Sequence, residues 1–285
     1  MFRSKRLILL ACIAVASVVA SPVGMAIQAL AQEKPMSLAS SDHWEFFPRG
    51  IDDKTAFIFY DEGISGRIND SGLPDLLVLR LKFKQPRPDG LSSQEEFEAL
   101  SAFEDRLTPV VDALGGLYVG RVTFDGYRRF HIFLPAGADH RTSMKALADE
   151  TGYPLEFSLG QDPDKSGYWQ IYPDADERQI VSDLNLLRNL EDNGDNPEIE
   201  RQIDHLAYLP SEQARLAFRS WVEDQGYGVS AAREVVGEEL PFALEFTHVG
   251  RTAYPDVTGH SIAISRKARE LGGTYDGWGT TVEKQ

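Results

Sequence analysis

The chain has 285 residues, 42% hydrophobic and 26% charged, with a formal net charge of −15 at pH 7. That length accommodates two domains with adequate cores, and an acid excess of this size repels polyanions and so argues against direct nucleic-acid binding. Cys12 is the only cysteine, which leaves no disulfide and no cysteine-based metal site.

In chain order, Met1 to Ala31 comes first. Arg3, Lys5 and Arg6 precede the apolar run Leu7 to Ala20; Ser21, Pro22 and Gly24 break it, and Ala29-Leu30-Ala31 sets small residues at −3 and −1. This pattern predicts a secretory signal peptide cleaved after Ala31, hence a secreted or periplasmic protein. The run falls short of the ~20 apolar residues of a spanning helix, and a membrane contact follows only if the leader stays uncleaved. Cys12 leaves with the leader, and the mature chain is more acidic still. Residues 32–41 read as a polar, flexible lead.

Residues 42–173 read as the first domain. Strands are predicted at His43 to Phe47, Thr55 to Tyr60 and Leu76 to Lys84, then a loop over Gln85 to Gly90. Ser92 with Glu95 gives a capping box for a helix carrying Phe97, Leu100, Phe103, Leu107, Val110, Val111 and Leu114, with Pro109 as a kink point. Leu117 to Phe124 and Arg128 to Leu134 form a hairpin across Asp125-Gly126. A helix at Thr142 to Thr151 and a strand at Leu155 to Leu159 follow. Asp162 to Gly167 begins like a calcium loop, but Pro173 stands where the bidentate Glu belongs and Pro163 sits inside. A turn capped by Asp side chains is the better reading.

Residues 174–200 form an acidic connecting helix and linker, with Ile180, Leu184, Leu187 and Leu190 at helical spacing. Its nine acids against Arg178 and Arg188 fit a solvated helix face, or an acidic docking surface. Residues 201–285 read as the second domain. Ile203 to Leu209 is a strand; Ser211 caps a helix bearing Leu216, Ala217, Trp221 and Val222; Tyr227 to Val236 and Phe242 to Val249 are strands. A loop over Ala253 to Thr258 precedes a helix running to Leu271, Gly272-Gly273 stop it, and Thr274 to Val282 is the closing strand. The expected fold class is α+β: two tandem two-layer sandwiches of ferredoxin-like strand-helix-strand-strand-helix-strand order, each an antiparallel sheet with helices on one face.

Candidate chemistry is sparse. Gly259-His260-Ser261-Ile262-Ala263 has the form of a nucleophile elbow, but an elbow needs a buried strand before it, so Ser261 reads better as an early helix residue. The histidines at 43, 131, 140, 205, 248 and 260 show no metal-ligand spacing, and the Gly-Gly pairs follow helices where phosphate loops precede them. No catalytic, cofactor-binding or metal-ligating residue is therefore expected.

Two resemblances add to this reading. Asp204-His205 followed by an aromatic and Pro210, Gly226-Tyr227, Glu239-Leu240-Pro241-Phe242 and Gly272-Gly273-Thr274-Tyr275-Asp276-Gly277-Trp278 make Arg201 to Glu283 resemble the regulator of ribonuclease activity B, a small bacterial inhibitor of ribonuclease E. Gly279 departs from the acidic residue that such proteins carry after the Trp. Trp44, Gly115 to Arg121, Gly126-Tyr127-Arg128 and Trp169 to Pro173 make the first domain resemble domain of unknown function 695, which implies a fold and no activity. The regulator resemblance implies a protein that binds a ribonuclease rather than performing chemistry. Ribonuclease E is cytoplasmic, so with export the expected function is a non-catalytic regulator reused on an envelope partner, a basic protein by charge. The candidate partner-binding residues are Asp204, His205, Tyr275, Asp276 and Trp278, and the alternative is a small periplasmic serine hydrolase using Ser261.

Overall fold

The computed structural model describes residues 40–284; the leader, its cleavage point and residues 32–39 of the lead lie outside them. Strands β1 (Trp44–Ile51) and β2 (Lys54–Asp61) form a hairpin across Asp52 and Asp53, both in the left-handed region. Short polar side chains tolerate that conformation, and a turn with two such residues matches strand twist. Asp125-Gly126 does the same between β4 (Leu117–Phe124) and β5 (Tyr127–Leu134), with φ of 47° and 82°.

With β3 (Asp75–Lys82) and β6 (Leu155–Gln161), these strands make one antiparallel sheet of order β1-β2-β4-β5-β3-β6. Helices α1 (Gln94–Ala113) and α2 (His140–Thr151) cover one face, packing Leu100, Phe103, Leu107 and Met144 on Leu77, Leu79, Phe130 and Ile132. The cap of α1 falls one residue later than expected. Ser93 Oγ accepts from Glu96 N at 3.1 Å, and the Glu96 carboxylate turns inward to Lys84 N and Gln85 N, so no capping box forms. Pro109 sits inside an unbroken helix. The opposite face is closed by the β2–β3 connection (Ile64, Ile68) and by the short helix α3 (Ser166–Trp169) through Tyr168.

The second sheet has order β10-β7-β9-β8, from β7 (Arg201–Leu209), β8 (Gly228–Glu234), β9 (Phe242–Gly250) and β10 (Thr274–Thr280). Helices α5 (Glu212–Asp224) and α6 (Tyr254–Glu270) bury Phe218, Val222, Val257, Ile264 and Ala268 against one face. This is the ferredoxin-like order, and β4-β5-β3-β6 repeats it in the first sheet. Helix α6 starts four residues before the predicted Thr258, because Pro255 lies in its first turn, where its fixed φ suits a helix and its missing N–H costs nothing. Its end is the predicted glycine pair: Gly272 N–H reaches Arg269 O and Gly273 N–H reaches Ala268 O at 2.8 Å, a Schellman cap with Gly272 at φ 74°.

Between the sheets lies α4 (Ala175–Asp192), capped by the Asp174/Glu177 box. Val181 and Ile180 pack with Phe47, Ile58, Tyr60 and Ile171 of the first domain, while Leu186, Leu187 and Leu190 pack into the core of the second. Of the nine acids in residues 174–200, Asp176, Glu177, Asp183 and Asp195 are consumed internally, while Asp174, Glu191, Asp192, Glu198 and Glu200 stay exposed. Glu177 takes Arg49 in a bidentate pair at 2.6 and 2.7 Å, and Asp176 takes Arg266 and Arg269. Asp195 pairs with Arg201 at 2.5 Å, both nearly buried, and pins the linker.

Candidate protein-binding face of the C-terminal domain

Alternation decides which side chains of the second sheet a partner could meet. On β7, Ile203, His205, Ala207 and Leu209 are buried under the helices, and Gln202, Asp204, Leu206 and Tyr208 point the other way. Across from them β9 turns Glu245, Thr247 and Val249 outward, Val249 being 72% exposed. At the Tyr208 end of this face the β8–β9 connection closes in, Val235 and Leu240 lining a pocket with Tyr208, and Ala243 is fully buried. The face carries Asp204 and Glu245, and half-buried Leu206 and Tyr208. Its cation Arg233, on β8, pairs with Glu245 at 3.0 Å.

Of the five sequence-predicted residues, only Asp204 and Asp276 meet solvent; His205, Tyr275 and Trp278 face the helix layer. Strict alternation would have put Tyr275 and Trp278 on opposite faces. A β-bulge at Asp276 shifts the register, so that Tyr275 opposes Ala207 and Trp278 opposes His205. Both rings therefore turn inward, and Asp276 is the extra residue pushed out.

The inward residues bring together side chains far apart in sequence. The Tyr275 hydroxyl and His205 Nδ1 lie 2.7 Å apart, His205 Nε2 and His248 Nδ1 2.9 Å, and the Tyr227 hydroxyl and His260 Nδ1 2.5 Å. The His248 and His260 rings lie with centroids 4.3 Å apart and planes tilted by 30°. Burial pushes His205 down to about 3 and His248 to about 4, reinforced by the neighbouring imidazoles, and lowers His260 as well. The Tyr227 phenol is pushed up to about 12 by burial. At neutral pH the group is uncharged, suited to fastening β7, β9, β10 and α6 together, with His260 at its solvent edge.

Beside it, Asp183 of α4 is 1% exposed. Trp278 Nε1 and Gln179 Nε2 each donate to its Oδ1 at 2.9 Å, and the Ser261 hydroxyl donates to Oδ2. Desolvation raises its carboxyl above the ordinary value despite these donors. Ser261 lies in the middle of α6 and is fully buried, bonded to Asp183 and Thr258 O and to no histidine; His260 points instead to Tyr227. The hydrolase alternative thus lacks its nucleophile–base contact. At the calcium-like loop, Asp162 accepts from Ser166 N at 2.8 Å and Gly167 N at 2.7 Å, so its carboxylate caps a turn.

Comparison with known proteins follows the two halves. Residues 42–174 match the Family of unknown function (DUF695), and residues 182–280 match Regulator of ribonuclease activity B. Among curated proteins none matches. The crystal structure of an unknown protein from Galdieria sulphuraria is similar at 8% identity over 71% of this chain and 96% of its own, with a TM-score of 0.20. The chain therefore joins a domain matching an uncharacterised family to one matching a regulator of ribonuclease activity.

Proposed function

We propose that the protein is a non-catalytic regulator that acts in the cell envelope, docking a basic protein partner on the outward face of the C-terminal sheet. The observation that carries this is the outward sheet face itself, with exposed Asp204 beside partly buried Leu206 and Tyr208 and with Glu245 paired to Arg233, in a domain that matches a regulator family. Half-exposed apolar anchors within a charged rim are what partner surfaces offer. Export is inferred from Arg3, Lys5 and Arg6 before the run Leu7 to Ala20 and from Ala29-Leu30-Ala31. A ribonuclease is the partner suggested by the family match, and an exported chain would apply the same surface to an envelope protein. Mass analysis of the mature N-terminus tests the location, Gln32 being the expected first residue. Affinity capture from an envelope extract tests the surface. The mature chain should retain a basic protein, and the double variant Asp204→Arg/Leu206→Arg should lose it. Equal retention by the variant would remove the sheet face from the proposal.

A further inference from the structure

The N-terminal domain carries a small site of its own, independent of the C-terminal partner. The indole of Trp44 stacks on Phe59 with centroids 4.9 Å apart and leans on Tyr118 at 5.3 Å. These three rings, with Glu104, Asp105 and Asp112 of α1, line a cavity of about 250 Å³. Trp44 is held by its Nε1–H donating to Ser41 O at 3.0 Å, and Tyr118 by its hydroxyl donating to Glu104 at 2.7 Å. The walls are fixed in place before any ligand arrives.

The chemistry of the walls selects a cation. A cation of the protein lies next to the cavity without lining it: the Arg121 guanidinium is 4.3 Å from the Phe59 ring centroid and donates to Glu104 at 2.7 Å. Glu104 is thereby neutralised, with Arg128 at 3.6 Å on its other oxygen. Asp105 and Asp112 are exposed and make no ion pair among the described residues. Asp112 also lies in the last turn of α1, which has no basic residue, so its charge faces the negative end of the helix dipole uncompensated. Asp105, Thr108 and Asp112 stand on one stripe of the helix, beside the rings.

We propose that this cavity binds an organic ammonium group, seated against Trp44 and Tyr118 and balanced by Asp105 and Asp112. Aromatic faces attract organic ammonium groups, quaternary and primary alike, whereas a metal ion demands oxygen ligands in a closed shell. The volume admits a trimethylammonium headgroup or the end of a lysine side chain. The same chemistry can come as a free small amine or as a lysine of a protein.

The test follows the Trp44 indole N–H resonance in the full mature chain. Tetramethylammonium chloride and N-acetyl-lysine methylamide are titrated in turn, with sodium chloride at equal ionic strength as the reference. Either probe should shift the resonance saturably, and Asp105→Asn/Asp112→Asn should weaken binding about tenfold. Tighter binding of tetramethylammonium identifies a free amine as the source, and tighter binding of the lysine compound a protein side chain. Shifts no larger than those in sodium chloride, or unchanged affinity in the double variant, overturn the proposal. The substituted acids are exposed, so a preserved spectrum elsewhere confirms that the variant is folded.

Discussion

Replacing Asp183 by Ala removes one side chain and strands three donors. Trp278 Nε1, Gln179 Nε2 and the Ser261 hydroxyl all end on its carboxylate, at a site 1% exposed. An orphaned buried donor costs about 1–3 kcal/mol. Against that stands relief from burying a carboxylate whose desolvation already raises its pKa. The net loss for Asp183→Ala should be about 3 kcal/mol, near the lower end for breaking a buried charged network. For a body of this size that is a fall in Tm of roughly 6–12 °C. Asp183→Asn keeps the volume and one acceptor but turns an amide donor toward other donors, so about 1–2 kcal/mol is expected. The sign of the pH dependence is fixed too. A carboxyl raised in the folded state binds its proton there more readily than in the unfolded chain. The wild type should therefore regain stability as pH falls through the folded pKa, a gain absent in Asp183→Asn. Thermal unfolding by calorimetry and near-ultraviolet circular dichroism reads all of this. Both variants within about 0.5 kcal/mol of wild type would refute the view of Asp183 as the fastening between α4, α6 and β10.

The histidine cluster should respond to acid in the opposite sense. His205, His248 and His260 are all lowered by burial, while Asp256 favours charge on His260 alone; their stabilising neutrality is complete above the unfolded value near 6.5 and is lost as pH falls toward 4 and 3. His205 and His248 each add up to about 1.4 kcal/mol of lost stability per pH unit in that window, the solvent-exposed His260 adding less because water screens it, and urea midpoints that do not move between pH 7 and 4.5 would contradict it. A Cβ on Gly273 would meet Tyr208 O at 2.4 Å and Leu209 Cδ1 at 2.6 Å, whereas one on Gly279 meets nothing within 4 Å. Gly273→Ala should thus cost about 2–3 kcal/mol and Gly279→Ala less than about 0.5; equal urea midpoints for the two variants would contradict the close approach of β10 to β7.

Much of the architecture was legible because its signals are local. The Asp-Gly turn, the alternation of β7 and the glycine pair after α6 each encode their own geometry, and two repeats of one element order announce two sheets. The start of α6 was not, since Pro255 and Asp256 look like loop residues until the helix is seen to begin at Tyr254 with the proline in its first turn. At the candidate site the difficulty was parity. One inserted residue, Asp276, reverses the faces of everything after Tyr275, and only the adjacent Gly277, at φ 119°, hints at it. Asp183 stands in a row of acids with nothing to mark it as the buried one. The histidines at 205, 248 and 260 lack any ligand-like spacing, and strand pairing with a helix crossover alone makes them neighbours.

Helix α4 belongs to both hydrophobic interiors at once. The stretch between the two family matches, residues 175–181, lies inside it. A cut there would leave an unsealed apolar seam on each fragment, so the modules are not interchangeable beads on a string. The shared helix acts as a rigid splice, and whatever one half grips is presented to the other at a set angle.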